Sequence, residues 1–189
     1  MDRVSFEIFE PGEKKFRLTP NWVIGILWFV PILLLWAIEG DNSGPQNGFI
    51  MAYFIFLGIL TMLCLIISYS IYKPLKGKIT GNLNFEDGQM MIDDKVFKLS
   101  DLAAIDFSFY DYYGQKSIFG SDFDPKLSQG VDNYVSFTDS KNQSQTIYFR
   151  VQSEHGKDAL APFINEAIKL KKMERERGID LLGIESITI

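Results

Sequence analysis

The sequence predicts a membrane α-helical hairpin of two spans followed by an α+β domain, a curved antiparallel sheet of six to seven strands with a C-terminal capping helix. Three patterns predict it: two long apolar blocks without a charge, a period-two alternation after Pro74, and an apolar stripe at helical spacing from Asp158. The 189 residues are 47% hydrophobic, and the two blocks hold much of that content, whereas a soluble core breaks such runs with polar faces. About 117 residues follow Tyr72, enough for one compact domain and too few for two.

Residues 1–20 form a cytoplasmic N-terminal segment in which Val4, Phe6 and Ile8 alternate with Ser5 and Glu7, the pattern of an extra strand for the sheet. Residues 21–39 form the first span. Its charge-free core, Trp22 to Ile38, is about 26 Å long as a helix, so Asn21 and Glu39 are recruited to its edges. Pro31 predicts a kink, and Trp22 and Trp36 stand near the two ends, where amphipathic rings favour the headgroup level. A cleaved signal peptide is the rival reading. It fails on its flanks, because Asp2, Glu7, Glu10 and Glu13 precede the block and no small-x-small site follows it. Residues 40–48 make a short external loop. Residues 49–72 form the second span, about 36 Å as a helix, with Tyr69 and Tyr72 as its interfacial anchors.

Basic residues set the orientation. Lys14, Lys15 and Arg17 precede the first span and Lys73, Lys76 and Lys78 follow the second, while Glu39 to Gly48 holds no base, so both termini are predicted to be cytoplasmic. The spans contain no ionisable side chain suited to an ion path, only Thr61, Ser68 and Ser70 as polar contents, which favours anchoring. An oligomeric transport or channel component is the alternative, with Gly25, Gly58, Cys64 and Ser68 permitting close helix packing.

Residues 73–178 are predicted to be the cytoplasmic domain. Ile79, Gly81, Leu83 and Phe85 alternate with polar residues in a first strand, and Glu86-Asp87-Gly88 turns it. Met90 to Ile92 and Val96 to Leu99 flank a second turn at Asp93-Asp94. Ile105, Phe107 and Phe109 begin a longer strand that runs to about Tyr112. Tyr113 to Val131 reads as a long loop, and strands around Tyr134 to Phe137 and Thr146 to Val151 follow. Leu160, Phe163, Ile164, Ala167, Ile168 and Met173 then share one face of a helix, with Pro162 in its first turns, Gly178 as its C-cap and 179–189 as a tail.

A membrane hairpin, then Gly77-Lys78-Ile79 opening a strand, Phe97-Lys98-Leu99-Ser100-Asp101-Leu102 closing another, and a C-terminal helix, together resemble bacterial families that tether a pleckstrin-homology-like (PH-like) domain to the inner membrane. The resemblance covers nearly the whole chain at the level of pattern. Such domains usually have seven strands and the cytoplasmic stretch supplies six, which is why Val4 to Ile8 is expected to add one. It implies a multi-pass protein of the bacterial inner membrane that presents an interaction or assembly module; no catalysis and no cofactor are expected, because the sequence holds no catalytic constellation and no Walker-type loop. Phosphoinositide-gripping relatives carry Lys and Arg in the first strand loop. Here that turn is Glu86-Asp87-Gly88, which repels phosphate, so protein recognition or self-association is expected instead.

Lys and Arg total 19 against 24 Asp and Glu, and a net charge of −5 leaves no excess of cations for nucleic acid. A single Cys64 and a single His155 form neither a disulfide framework nor a Cys/His metal site, and no triad or Walker-type loop is present. Asp122, Asp124 and Asp132 are the carboxylates on which a third reading, a metal-dependent enzyme, would rest, but a D-x-D pair offers calcium two of the six to eight oxygens it takes, and no metal is expected. The aromatic run Phe107, Phe109, Tyr110, Tyr112, Tyr113 reads first as core plus a sheet face, but its excess is notable where Tyr110, Tyr112 and Gly114 sit beside the long loop, the place where a partner would dock. The rim from Tyr110 to Asn133 is therefore the predicted partner surface, with Tyr110, Tyr112, Tyr113, Asp122, Asp124 and Asp132 as its residues.

Overall fold

A computed structural model describes residues 3–13, 19–37, 46–117 and 123–183. The chain folds as two compact units. One comprises Met1–Lys14, Pro74–Gln115 and Ser128–Ile189, the other Lys15–Lys73 and Lys116–Leu127.

The first unit is built on a seven-stranded antiparallel sheet. Its strands are β1 (Val4–Pro11), β2 (Gly77–Glu86), β3 (Gln89–Ile92), β4 (Lys95–Lys98), β5 (Leu102–Ser108), β8 (Asn133–Asp139) and β9 (Ser144–Arg150) in the spatial order β4-β3-β2-β1-β9-β8-β5; β6 (Tyr113–Lys116) and β7 (Leu127–Gln129) pair separately. The alternation of Val4, Phe6 and Ile8 thus lies in the middle of the sheet: β1 runs beside β2 from Val4↔Phe85 to Pro11↔Gly77 and beside β9 through Ile8↔Phe149. Alternation puts Phe6, Leu83, Phe85, Phe107, Val135, Phe137 and Phe149 on one buried face. Gly88 (φ 64°) supplies the left-handed residue of the β2–β3 turn, and Asp93 (φ 51°) occupies the next turn, where its carboxylate accepts the Asn82 N–H at 3.1 Å.

β5 ends at Ser108, four residues short of the expected Tyr112, because the next two free N–H groups, of Tyr110 and Asp111, turn aside to the Asn133 side chain. The expected loop also contains the short ribbon β6–β7.

The sheet is covered by α3 (Ala161–Lys169), reached through a 3-10 stretch, Glu154–Leu160. Phe163, Ile164, Ala167 and Ile168 form its buried stripe. The Phe163 ring meets Phe85 edge-on at 4.9 Å between centroids. The helix does not run on to Gly178. It stops after Lys169, Lys171 turns into the left-handed region (φ 57°), and the Lys172 carbonyl accepts the Ile105 N–H of β5 at 2.9 Å. Met173 is buried beyond the break. A second helix, α4 (Arg175–Leu182), follows, capped by Gly183 rather than Gly178. Gly178 lies inside α4, at a position where a Cβ would meet Ile168 Cδ1 at 2.5 Å.

The second unit contains α1 (Pro20–Ala37) and α2 (Gln46–Ser68). α1 continues through Pro31. Its Trp28 Nε1 donates to Thr61 Oγ1 at 3.1 Å and its Leu27 carbonyl accepts the Tyr53 hydroxyl at 2.9 Å. Ile24 and Leu57 are buried, whereas Phe29, Ile32, Phe49, Phe56, Met62 and Ile66 are all at least half exposed. Among the described residues one helix is long and apolar enough to cross a membrane, Gly48–Ser68; the described apolar stretch of α1, Pro20–Leu33, is shorter. Trp22 and Tyr69 are exposed, and Tyr72 bridges to Leu127. The Trp36 side chain, residues 38–45 of the connecting loop, and Lys14, Lys15 and Arg17 lie outside the described residues.

Candidate functional site

The rim beyond β5 is organised by two side chains that never leave the sheet unit. Asn133 opens β8 and is fully buried. Its Oδ1 accepts the N–H groups of Tyr110 (2.8 Å) and Asp111 (3.2 Å), while its Nδ2 donates to the Gly130 carbonyl (2.9 Å) and to Asp111 Oδ1 (3.2 Å). Asp111 accepts in addition the Asp132 N–H at 3.1 Å and the Ser128 hydroxyl, and Ser128 Oγ accepts the Gly130 N–H at 3.0 Å. These bonds replace the ladder that ends at Ser108, satisfying peptide groups that an irregular segment would otherwise leave unpaired. Burial pushes the Asp111 carboxyl above the ordinary aspartate range. The Ser128 bond opposes that shift, and the charge of Asp132 adds to it.

A second set of contacts fixes the far side of the rim. Arg150 places its guanidinium 4.6 Å from the Tyr113 ring centre, donates from Nε to the Gln129 carbonyl (3.0 Å) and pairs with Glu7 (3.3 Å), which also accepts from Gln152 Nε2 (3.0 Å). The Tyr113 N–H donates to the Val151 carbonyl, and the Val151 N–H to the Gly130 carbonyl.

What this frame displays is aromatic. The Tyr110 ring is 66% exposed and begins a row with Tyr134 (6.3 Å) and Tyr148 (5.8 Å). Beside them Arg177 of α4 donates to Asp106 (2.8 Å) and to the Phe107 carbonyl (2.7 Å), and the Asp106 bond raises the guanidinium further above its already high pKa. A cleft of about 180 Å³ opens next to Tyr110, lined in part by Asp111, Tyr112, Gln115, Glu154 and Lys157. Rigid backbone, exposed tyrosines and charges of both signs suit recognition of a polypeptide, where rings supply contact area at low entropy cost.

Of the predicted surface residues, Tyr110, Tyr112, Tyr113 and Asp132 fall together in this rim. Asp124 does not: it lies in the helical unit, where Asn21 Nδ2 donates to its Oδ1 at 3.2 Å. Asp122 lies outside the described residues. Among the described residues no three His, Cys, Asp or Glu side chains gather in a way that could hold a metal ion. His155 is exposed beside Asp158 at 3.2 Å, and Cys64 is half-buried in α2. Sequence reasoning did not single out Asp111, Ser128 and Asn133 as the frame, because isolated Asp, Ser and Asn in a polar stretch carry no periodic signal. In comparisons with family models, with curated proteins and with solved structures, the chain matches none.

Proposed function

We propose that this chain is a membrane-anchored interaction or assembly module. Its two helices lie in the bilayer of a bacterial inner membrane as a hairpin. Its sheet unit, of PH-like architecture, faces the cytoplasm and binds a protein through the Tyr110 rim without performing catalysis. The observation that carries the reading is α2, in which the 21 residues Gly48–Ser68 reach about 32 Å and Leu57 is the one apolar side chain that is buried, the rest being partly or fully exposed, a surface that water does not tolerate and a hydrocarbon layer does. Exposed Phe29, Ile32 and Leu33 on α1 support its place beside α2, and Asn21 and Pro20 extend its length toward the headgroups. The strand order β4-β3-β2-β1-β9-β8-β5, with a helix following the last strand, supports the PH-like assignment.

Single cysteines in a Cys64→Ser background test the topology. Ser43→Cys is expected to react with an impermeant maleimide added to intact cells and Ser140→Cys only after lysis; labelling of Ser140→Cys from outside refutes the cytoplasmic placement. A photo-crosslinking residue at Tyr110 in native membranes is expected to trap a protein. Trapping of lipid alone, or a homo-oligomer that passes solute in vesicles, refutes the module.

A further inference from the structure

The cleft beside Tyr110 lies wholly within the sheet unit, between the residues that follow β5 and the 3-10 stretch Glu154–Leu160. Phe109, Tyr110 and Tyr112 line it together with Asp111, Glu154 and Lys157. At about 180 Å³ it falls below the roughly 300–1,000 Å³ that a cofactor or drug-sized ligand fills, and it suits a single side chain. The bases of this region are engaged elsewhere. Arg150 lies over Tyr113 and pairs with Glu7, and Arg177 is bonded to Asp106 and to the Phe107 carbonyl. Lys157 Nζ lies 3.8 Å from where a Cβ on Gly183 would stand, at the C-terminal end of α4, whose negative dipole end attracts it. Among the described residues no Lys or Arg comes within ion-pair distance of Asp111, Asp132 or Glu154. Burial, with the charge of Asp132 added to it, holds the Asp111 carboxyl above its ordinary range, as befits a carboxylate that no cation compensates.

We propose that the partner recognised by the Tyr110 rim is a basic polypeptide segment, one of whose Lys or Arg side chains enters this cleft. The inference rests on the module reading and deepens it by naming the partner's chemistry. Such a side chain meets two needs of the cleft at once. Its stem or guanidinium plane covers the tyrosine rings, whose faces attract positive charge, and its head supplies Asp111 and Glu154 with the opposite charge they lack. The rim already uses the same pairing within the chain, where Arg150 lies over Tyr113 and its charge is met by Glu7. Charge over the whole unit agrees. The three segments that compose it carry 14 Lys and Arg against 20 Asp and Glu, so the approach of a basic chain is favoured and that of an acidic one opposed.

The test uses the full chain in dodecyl maltoside micelles, labelled with fluorotyrosine, and acetylated, amidated peptides Ser-Gly-X-Gly-Ser in which X is Lys, Arg, norleucine or Glu. The fluorine resonances of Tyr110 and Tyr112, assigned with Tyr110→Phe and Tyr112→Phe, are expected to shift with the Lys and Arg peptides at concentrations about fivefold or more below those the norleucine and Glu peptides require. Glu154→Lys, a reversal on an exposed residue, is expected to weaken the Lys peptide about fivefold or more. Equal shifts with Lys and norleucine, no shift with any peptide, or a Lys peptide indifferent to Glu154→Lys overturns the proposal. n-Butylamine acting at the same concentration as the Lys peptide assigns the cleft to small amines and overturns it too. Photo-crosslinking from Tyr110 keeps the two failures apart: a trapped protein together with charge-indifferent peptides overturns the basic partner alone, whereas trapping of lipid alone overturns the module reading beneath it.

Discussion

Replacing Asn133 with alanine tests the frame most directly. The side chain satisfies two peptide N–H groups, of Tyr110 and Asp111, and donates to the Gly130 carbonyl and to Asp111. Alanine leaves all four without this partner in a site with no exposed surface of its own. Gly130 O keeps its bond from Val151, and Asp111 keeps Ser128 and the Asp132 N–H, so the uncompensated loss is the two N–H groups. At about 1–3 kcal/mol per orphaned buried donor, with partial relief by water at the exposed Tyr110, the cost is about 3 kcal/mol, or a fall in Tm of about 10 °C for a unit of this size. All three tryptophans, Trp22, Trp28 and Trp36, lie in α1, whereas five of the eight tyrosines (110, 112, 113, 134 and 148) lie in the sheet unit, so tryptophan fluorescence reports the helical unit and tyrosine near-UV circular dichroism is weighted toward the sheet unit. The tyrosine transition should fall while the tryptophan emission of the native state stays. Asn133→Asp keeps the shape but sets a carboxylate against Asp111; at neutral pH it should be worse than alanine and should recover on acidification. A tyrosine-detected shift under about 3 °C, corresponding to less than about 1 kcal/mol, or Asp and Ala variants that behave alike at neutral pH, would refute the reasoning.

Asp111→Asn should change the pH profile of stability. Because the folded pKa of Asp111 lies above its unfolded value, the native state favours the protonated form, so wild type should gain stability relative to Asp111→Asn as pH falls through the folded pKa; parallel urea-unfolding profiles across pH 4–7 would count against it. Gly77→Ala should cost at least about 1–3 kcal/mol, since its Cβ would strike the Glu10 carbonyl and the Phe9 ring, whereas Gly81→Ala meets only the Asp93 side chain, which can swing away; thermal melts of the pair should separate clearly. Arg177→Ala should lose about 1–2 kcal/mol, mostly from the bond to the Phe107 carbonyl, because the partly exposed pair with Asp106 is screened; Arg177→Lys should not restore it, and 0.5 M salt should change the loss little.

The strands were legible because half-buried sheets write themselves as alternation. Leu83 and Phe85, Val135 and Phe137, and Phe6 and Ile8 all sit where a period of two places them. The stripe Phe163, Ile164, Ala167, Ile168 was legible for the same reason at the helical period. The break after Lys169 was not. Leu170 to Arg177 reads as a continuous amphipathic end, and what stops the helix is a distant acceptor requirement, the Ile105 N–H met by the Lys172 carbonyl. Gly178 carries a familiar cap signal, yet its use is close approach to Ile168. The rim was legible as composition, an excess of tyrosine beside a polar stretch. Its frame was not, since Asp111, Ser128 and Asn133 act by converging from three segments, and the excursion to Asn21 joins residues about a hundred positions apart.

The Pro11↔Gly77 pair, with the Gly12 N–H bonded to the Lys76 carbonyl, makes both helices an insertion into a single β-hairpin. During synthesis the first strand is therefore born early and stays unmatched. Its near neighbour arrives only after both greasy segments have left the ribosome, and its other neighbour, around Phe149, much later still. A fragment beginning at Lys76 would be missing the middle plank of its own sheet, whereas a chain in which a tight two-residue turn joins Pro11 to Gly77 would keep every rung.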